Sequence, residues 1–304
     1  MTTHSVKTPY QPILSIKDKR FTIYQLQQYH LIISLSNTHL RICCMDQLSN
    51  RCLFLETYTL QADTIAATMQ AIEQFWQAHP LLAMKAWHTI TLCVENQQYT
   101  LVPKPLFQEK DAVAYLNLAA TRNHHTVKHT IHHSLDLVVA FGLQPLLCDW
   151  FQTTYKKNTF YIIHQASSLI AGVSAYIKAK NLKPVPQLFV VASPTHVHIT
   201  ALERAKLCYY NQFAYANSDE LLQYILIVMY TLGLDPGSQE IILGGHITKN
   251  SLTHRKLQNY IRKVTFSDQM PNLKFGWSFK KRLLTQYFDL WSVHVLSTQH
   301  PVKG

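Results

Sequence analysis

The densest charge in this chain lies between residues 249 and 282, where Lys249, Arg255, Lys256, Arg262, Lys263, Lys274, Lys280, Lys281 and Arg282 meet a single acid, Asp268. Most of the excess of 28 Lys and Arg over 17 Asp and Glu sits here. If residues 251–264 form a helix, Arg255 and Arg262 are seven residues apart, as are Lys256 and Lys263, and all four share neighbouring parts of one face. With Phe275, Trp277 and Phe279 nearby in sequence, such a surface could hold RNA or another polyanion. The plainer expectation is a solvated basic face whose aromatic residues belong to the core.

Histidine is a second source of chemistry, with 17 residues, five of them (His124, His125, His129, His132 and His133) in one segment. On a strand over 126–134, His129 and His133 take one face and His132 the other, so the three do not converge as ligands. His196 and His198 do share a face. Neither group has a carboxylate or Cys partner at ligand spacing, and no metal is expected. The six cysteines (43, 44, 52, 93, 148 and 208) lie in apolar runs without a C-x-x-C pair, which reads as reduced, buried thiols in a cytoplasmic protein. No G-x-S-x-G and no triad signature occur, so no catalytic residue is assigned.

Glycine narrows the field further: there are eight, and none in the first 141 residues. A loop that cradles phosphate brings its backbone close to the ligand at positive φ, which glycine does without steric penalty. No such loop can form in the usual way in the N-terminal half. The pair Gly244-Gly245, after Leu243, offers a close backbone approach late in the chain, although two glycines after a strand most often start a strand-to-helix turn. Glu95 ends a strand, and Glu95-Asn96-Gln97 reads as a hairpin turn.

The elements that would position these residues follow from periodicity. Residues 1–20 read as a basic, loosely ordered lead-in. Runs at 29–36, 40–45 and 51–58 read as three strands joined by turns. Asp63 is a suitable cap for a helix to Ala78 with Ile65, Met69, Ile72, Phe75 and Trp76 on one stripe. Strands at 88–95 and 99–103, a helix at 111–118, two strand-like runs over 126–143 and helices at 145–155 and 165–180 complete a first domain, 21–184. After Lys183-Pro184-Val185-Pro186, strands at 187–192, 197–203 and 205–211, a helix at 218–233, a strand at 240–244 and a helix at 251–264 open a second domain, 185–304. The order β-β-β-α-β thus occurs twice. The longest apolar stretch, Leu221 to Leu234, is interrupted and short of the ~20 residues a membrane helix needs, so no membrane partner is expected.

Several segments carry a more specific resemblance. Tyr99-Thr-Leu-Val-Pro-Lys-Pro-Leu-Phe107 with Tyr115-Leu116, Leu207-x-Tyr-Tyr-Asn-Gln-Phe213 followed by Asp219–Leu226, and Ile242-Leu-Gly-Gly-His-Ile-Thr248 with Leu257-x-x-Tyr-Ile261 resemble a family of uncharacterised Bacteroidota proteins. That resemblance implies an α/β, actin-like ATPase fold of two ribonuclease-H-like domains, and no assigned activity. In such ATPases two hairpins built around Asp-x-Gly hold the β- and γ-phosphates and Mg²⁺. Here the corresponding turns read Ser34-Leu35-Ser36-Asn37-Thr38 and Ala192-Ser193-Pro194-Thr195, without carboxylate or glycine, and Pro194 lacks a backbone donor. Gly244-Gly245 resembles the adenosine-side pair of the fold. The expectation is a non-catalytic binding or scaffold protein with a protein partner and no cofactor. An ATP-binding switch using Gly244 and Gly245, and a polyanion binder using 249–282, are the alternatives. A filled inter-domain cleft would remove the switch.

Overall fold

The computed structural model describes residues 11–60, 64–119, 126–181, 185–204 and 206–299. The chain begins with β1 (Leu14–Lys17), a short 3₁₀ helix (Ile23–Gln28), and the meander β2 (Tyr29–Leu35), β3 (His39–Asp46) and β4 (Arg51–Thr59). Then come α1 (Ile65–Ala78), β5 (Thr89–Val94), β6 (Tyr99–Pro103), α2 (Ala112–Ala119), β7 (Thr126–His132), β8 (Leu137–Leu143), α3 (Pro145–Thr154), β9 (Thr159–His164) and α4 (Gln165–Lys180). The second half holds β10 (Gln187–Ala192), β11 (His196–Glu203), β12 (Lys206–Ala214), α5 (Ser218–Thr231), β13 (Glu240–Gly245), α6 (Leu252–Tyr260), β14 (Lys263–Phe266), β15 (Lys274–Phe275), α7 (Lys281–Gln286) and α8 (Phe288–Gln299).

The two halves repeat not only an element order but a sheet topology. The first sheet runs β4-β3-β2-β5-β9 and the second β12-β11-β10-β13-β14, each with an antiparallel meander and two parallel strands beyond it. Parallel strands need crossovers, and α1 and α5 supply the first of them in each half. The strands β2, β5 and β10 are buried along their whole length, as expected where helices cover both faces. A separate three-stranded sheet, β6-β8-β7, is inserted between β5 and α3.

Three apolar clusters hold these layers. One packs α1 and α3 on the outer face of the first sheet through Phe75, Trp76 and Phe151, and one packs α5 and α6 on the second through Ile225, Met229 and Leu257. The third lies between the sheets and is built on α4 and α8, with Ile170, Val173, Phe288 and Trp291. These two helices approach closely at Gly172, where a Cβ would sit 1.9 Å from Ser292 Oγ.

Several sequence-based boundaries shift. The lead-in is not loose throughout: Leu14–Lys17 pairs antiparallel with β4, and β15 takes up the same edge of β4. The cap of α1 is Thr64, whose side chain accepts from Ala67 N–H, while Asp63 lies outside the described residues. The helix expected over 251–264 ends at Tyr260; Ile261 is extended, and Lys263–Phe266 pairs with β13 instead. Residues 274–299, expected with the second domain, return to the first sheet and to the space between the sheets. No helix among the described residues is long and apolar enough to cross a membrane.

Candidate functional site

The two hairpins that open the sheets share a sequence, Ser36-Asn37-Thr38-His39 and Ser193-Pro194-Thr195-His196, and they share a hydrogen-bond plan. Ser36 N–H donates to His39 O (2.9 Å), and Ser193 N–H to His196 O (2.8 Å). The serine hydroxyl accepts from the histidine N–H, 2.9 Å at His39 and 3.0 Å at His196. Each threonine hydroxyl meets Nδ1 of its histidine, at 2.8 and 2.9 Å. Each threonine carbonyl accepts from the end of its own meander, from Leu60 N–H and Tyr215 N–H. The serine and histidine backbone donors of both hairpins are therefore directed inward. Burial lowers the pKa of both His39 and His196, favouring the neutral rings.

Both hairpins border a cleft of about 200 Å³ whose walls include His39, Arg41, Glu95, Gln165, Ser193, His198, Gly245 and Asp289. Arg41 stands on β3 opposite Ser34 on β2 and lines this cleft. Its NH1 donates to Asp289 Oδ1 (3.0 Å) and its NH2 to Asp289 Oδ2 (2.5 Å), Ser34 Oγ (2.9 Å) and Glu95 Oε1. Ser34 Oγ also donates to Glu95, and Gln165 Nε2, at the start of α4, donates to Asp289 Oδ2 at 2.8 Å. Burial disfavours the Arg41 charge, but Asp289 and Glu95 outweigh it and hold the guanidinium above its usual pKa. Burial likewise works against the Asp289 carboxylate, and Arg41 outweighs it, keeping the group below its usual range. One cation between two carboxylates leaves the cluster with a formal charge of −1.

Burial keeps two further histidines neutral, His198 in the cleft wall and His164 next to Gln165. His198 Nδ1 meets Tyr210 OH at 2.9 Å, and burial pulls its pKa down to about 3. His164 caps α4, accepting from Ala166 N–H through Nδ1 and donating to Asn96 O through Nε2, with a pKa lowered by burial to about 4.

The residues singled out from sequence divide between this site and elsewhere. Gly245 lines the cleft with φ +81°, and a Cβ there would lie 2.1 Å from Ala192 O, the carbonyl that receives His246 N–H at 2.6 Å. Gly244 faces Val191, Phe189 and Phe288. At both positions an added side chain would meet the chain itself. Glu95, read as a turn residue, is part of the Arg41 cluster.

The basic stretch splits. Because the helix stops at Tyr260, Arg255 and Lys256 lie on α6 while Arg262 and Lys263 lie beyond it, and the single four-residue face does not form. Lys256 Nζ pairs with Asp219 at 2.5 Å. Lys249 sits in the turn after β13, and Lys280, Lys281 and Arg282 lie at the start of α7, on the segment that returns to the first sheet. His132 ends β7 and His133 follows it, with Lys104 Nζ 3.2 Å from His133 Nδ1; His124 and His125 lie outside the described residues. No group of three His, Cys, Asp or Glu among the described residues could hold a metal. Five cysteines are free and buried, and Cys208 is free and half-buried. Arg41, Gln165 and Asp289 carried no local sequence signal; the repeated Ser-x-Thr-His did.

Comparison with known proteins bears on the fold. A Bacteroides thetaiotaomicron VPI-5482 protein with actin-like ATPase fold and unknown function superposes with a TM-score of 0.72 at 18% identity, over 81% of this chain and 93% of that one. The PilM-PilN type IV pilus biogenesis complex gives a TM-score of 0.57 at 9% identity, over 88% of this chain and 98% of that one. No curated protein matches the sequence. The chain has the actin-like ATPase fold. The family model described as a protein of unknown function (DUF3822) matches residues 18–264, and the chain belongs to that family.

Proposed function

We propose that this chain is a non-catalytic binding or scaffold protein, an actin-like fold whose inter-domain cleft is held shut from within. The observation that carries this reading is the fork between Arg41 and Asp289, seated between the two hairpins where the fold's ATPases receive phosphate. Three physical points support it. The cluster's charge of −1 repels a triphosphate, and the repulsion is strong where water is scarce. In each hairpin the serine and histidine N–H groups are already taken up within the turn. The open volume of about 200 Å³ is below the ~300–1,000 Å³ of ordinary ligand pockets.

A protein partner fits a fold that one solved neighbour presents in a protein complex, PilM with PilN. The competing reading, an ATP switch holding adenosine at Gly244-Gly245, has to displace Arg41 and open the cleft. Calorimetry with ATP and Mg²⁺ separates the two. No heat of binding is expected for the full chain, and saturable binding in the micromolar range would overturn the closed-cleft reading.

A further inference from the structure

Trp277 is 99% exposed, whereas Trp76, Trp87 and Trp291 are buried and Trp150 is half-buried against Trp76. A wholly exposed indole runs against the cost of leaving apolar surface in water. Its neighbours do not share the position: Phe279 is buried, and both Phe275 and Phe279 pack on Trp291. The side chains left outside on this segment, Lys274, Ser278, Lys280 and Lys281, are polar.

The fold adds charge from a distant part of the chain. β3 occupies one edge of β4, so β1 and β15 share the other, with Lys17 opposite Phe54 and Lys274 opposite Arg51. Gly276, next to Trp277, abuts Asp18: a Cβ there would lie 1.8 Å from Asp18 Oδ2. Lys17, Lys19 and Arg20 therefore border the Trp277 loop, and all three are exposed. The acids at this end of the sheet are already engaged. Asp18 is buried, accepting from Arg20 N–H and lying 3.6 Å from Arg51, and Asp46 accepts from Leu48 N–H and Ser49 Oγ.

We infer that Trp277, with Lys17, Lys19, Arg20, Lys280 and Lys281, forms a binding surface for single-stranded nucleic acid. The indole supplies a stacking face for an unpaired base, and the cations on both sides neutralise the flanking phosphates. A duplex keeps its bases inside and cannot use the ring. An anionic membrane would use the same charges, but insertion calls for a cluster of apolar tips, and here the neighbouring phenylalanines are turned into the core. The surface lies outside the cleft and does not depend on whether the cleft binds nucleotide.

The test is a titration of the full chain, read by tryptophan emission, with oligo-dT and oligo-rU of about 12 nucleotides and a duplex of the same length. Single strands are expected to quench the emission, more strongly than the duplex, and their affinity to fall about tenfold or more between about 50 and about 200 mM salt. Trp277→Ala is expected to remove the quench and weaken binding about 5- to 100-fold. Lys280→Glu with Lys281→Glu is expected to weaken it at least about tenfold and flatten the salt slope, while Arg255→Glu with Lys256→Glu leaves the quench in place. Preference between dT and rU identifies DNA or RNA as the source. Silence at low salt, or binding indifferent to both the Trp277 and the Lys280/Lys281 variants, would overturn the proposal. So would a blue shift on phosphatidylserine vesicles without any response to oligonucleotides, which would assign the surface to membrane.

Discussion

Arg41 and Asp289 meet as a two-pronged ion pair, NH1 to Oδ1 at 3.0 Å and NH2 to Oδ2 at 2.5 Å, between a strand of the meander and the helix that lies between the sheets. Both side chains are at most a tenth exposed, so each depends on the other for the polar contacts that water would otherwise give.

Removing one partner should therefore cost far more than a surface salt bridge would. Arg41→Ala leaves the buried Asp289 and the half-buried Glu95 without a cation and is expected to destabilise the fold by about 3–5 kcal/mol. Arg41→Lys keeps the charge but loses the fork, and should fall between the variant and the parent. Urea unfolding measures both; a shift under about 1 kcal/mol for Arg41→Ala would mean that the pair is decorative.

A second polar chain ties α8 to the first sheet and should make stability depend on acid. His30 Nδ1 meets His294 Nδ1 at 3.1 Å, His30 Nε2 meets Thr91 Oγ1 at 2.8 Å, and His294 Nε2 meets Asn50 Oδ1 at 3.2 Å. Burial lowers the His30 pKa well below its usual value, with the nearby His294 and His88 adding to it, and burial brings His294 to about 4 despite the opposing pull of Asp46. The unfolded chain takes up these protons near pH 6.5, whereas in the folded chain His294 takes its proton only near 4 and burial holds His30 well below its usual value. Stability is thus full above about pH 6.5 and is lost as pH falls through the window toward 4. Melting temperature followed over that window should drop, and His294→Asn should flatten the slope; an unchanged slope in the variant would remove this pair as its source.

Gly245→Ala tests whether the glycine pair serves the chain itself. At φ +81° and with Ala192 O only 2.1 Å from the added carbon, the substitution is expected to cost roughly 2 kcal/mol or more without any ligand present. Retained stability in thermal unfolding would return Gly245 to the role of a ligand contact.

Equivalent lesions in the twin hairpins should have equivalent effects. Ser36→Ala and Ser193→Ala each remove the acceptor for a histidine N–H, a loss of about 1 kcal/mol apiece. Chemical denaturation of the two single variants and the double variant should give similar single values that add, since the hairpins share no hydrogen bond. A large effect at one hairpin alone would show that their shared sequence is coincidental.

Local periodicity carried most of the architecture, because each meander strand and each amphipathic helix announces its buried face within a few residues. Where it failed, the deciding partner was distant. Leu14–Lys17 alternates over only four residues and becomes a strand because β4 offers an edge. Val264-Thr265-Phe266 continues a helical-looking run but consists of two β-branched residues and an aromatic one, and finds β13 in parallel register. Arg41 and Asp289 carry nothing in their neighbourhoods that predicts their meeting, since only the return of residues 274–299 brings them together. The repeated Ser-x-Thr-His, by contrast, stands openly in the chain, and its meaning needs only the recognition that both copies join the first two strands of equivalent sheets.

That return has a kinetic side. The face of the first sheet that α8 covers and the edge of β4 that β15 takes are made early in synthesis, and their cover is made more than two hundred residues later. A nascent chain emerging from the ribosome must therefore carry its first sheet half-dressed, inviting chaperones, and a product halted before residue 288 would leave Ile32, Cys43 and Leu55 without α8 against them.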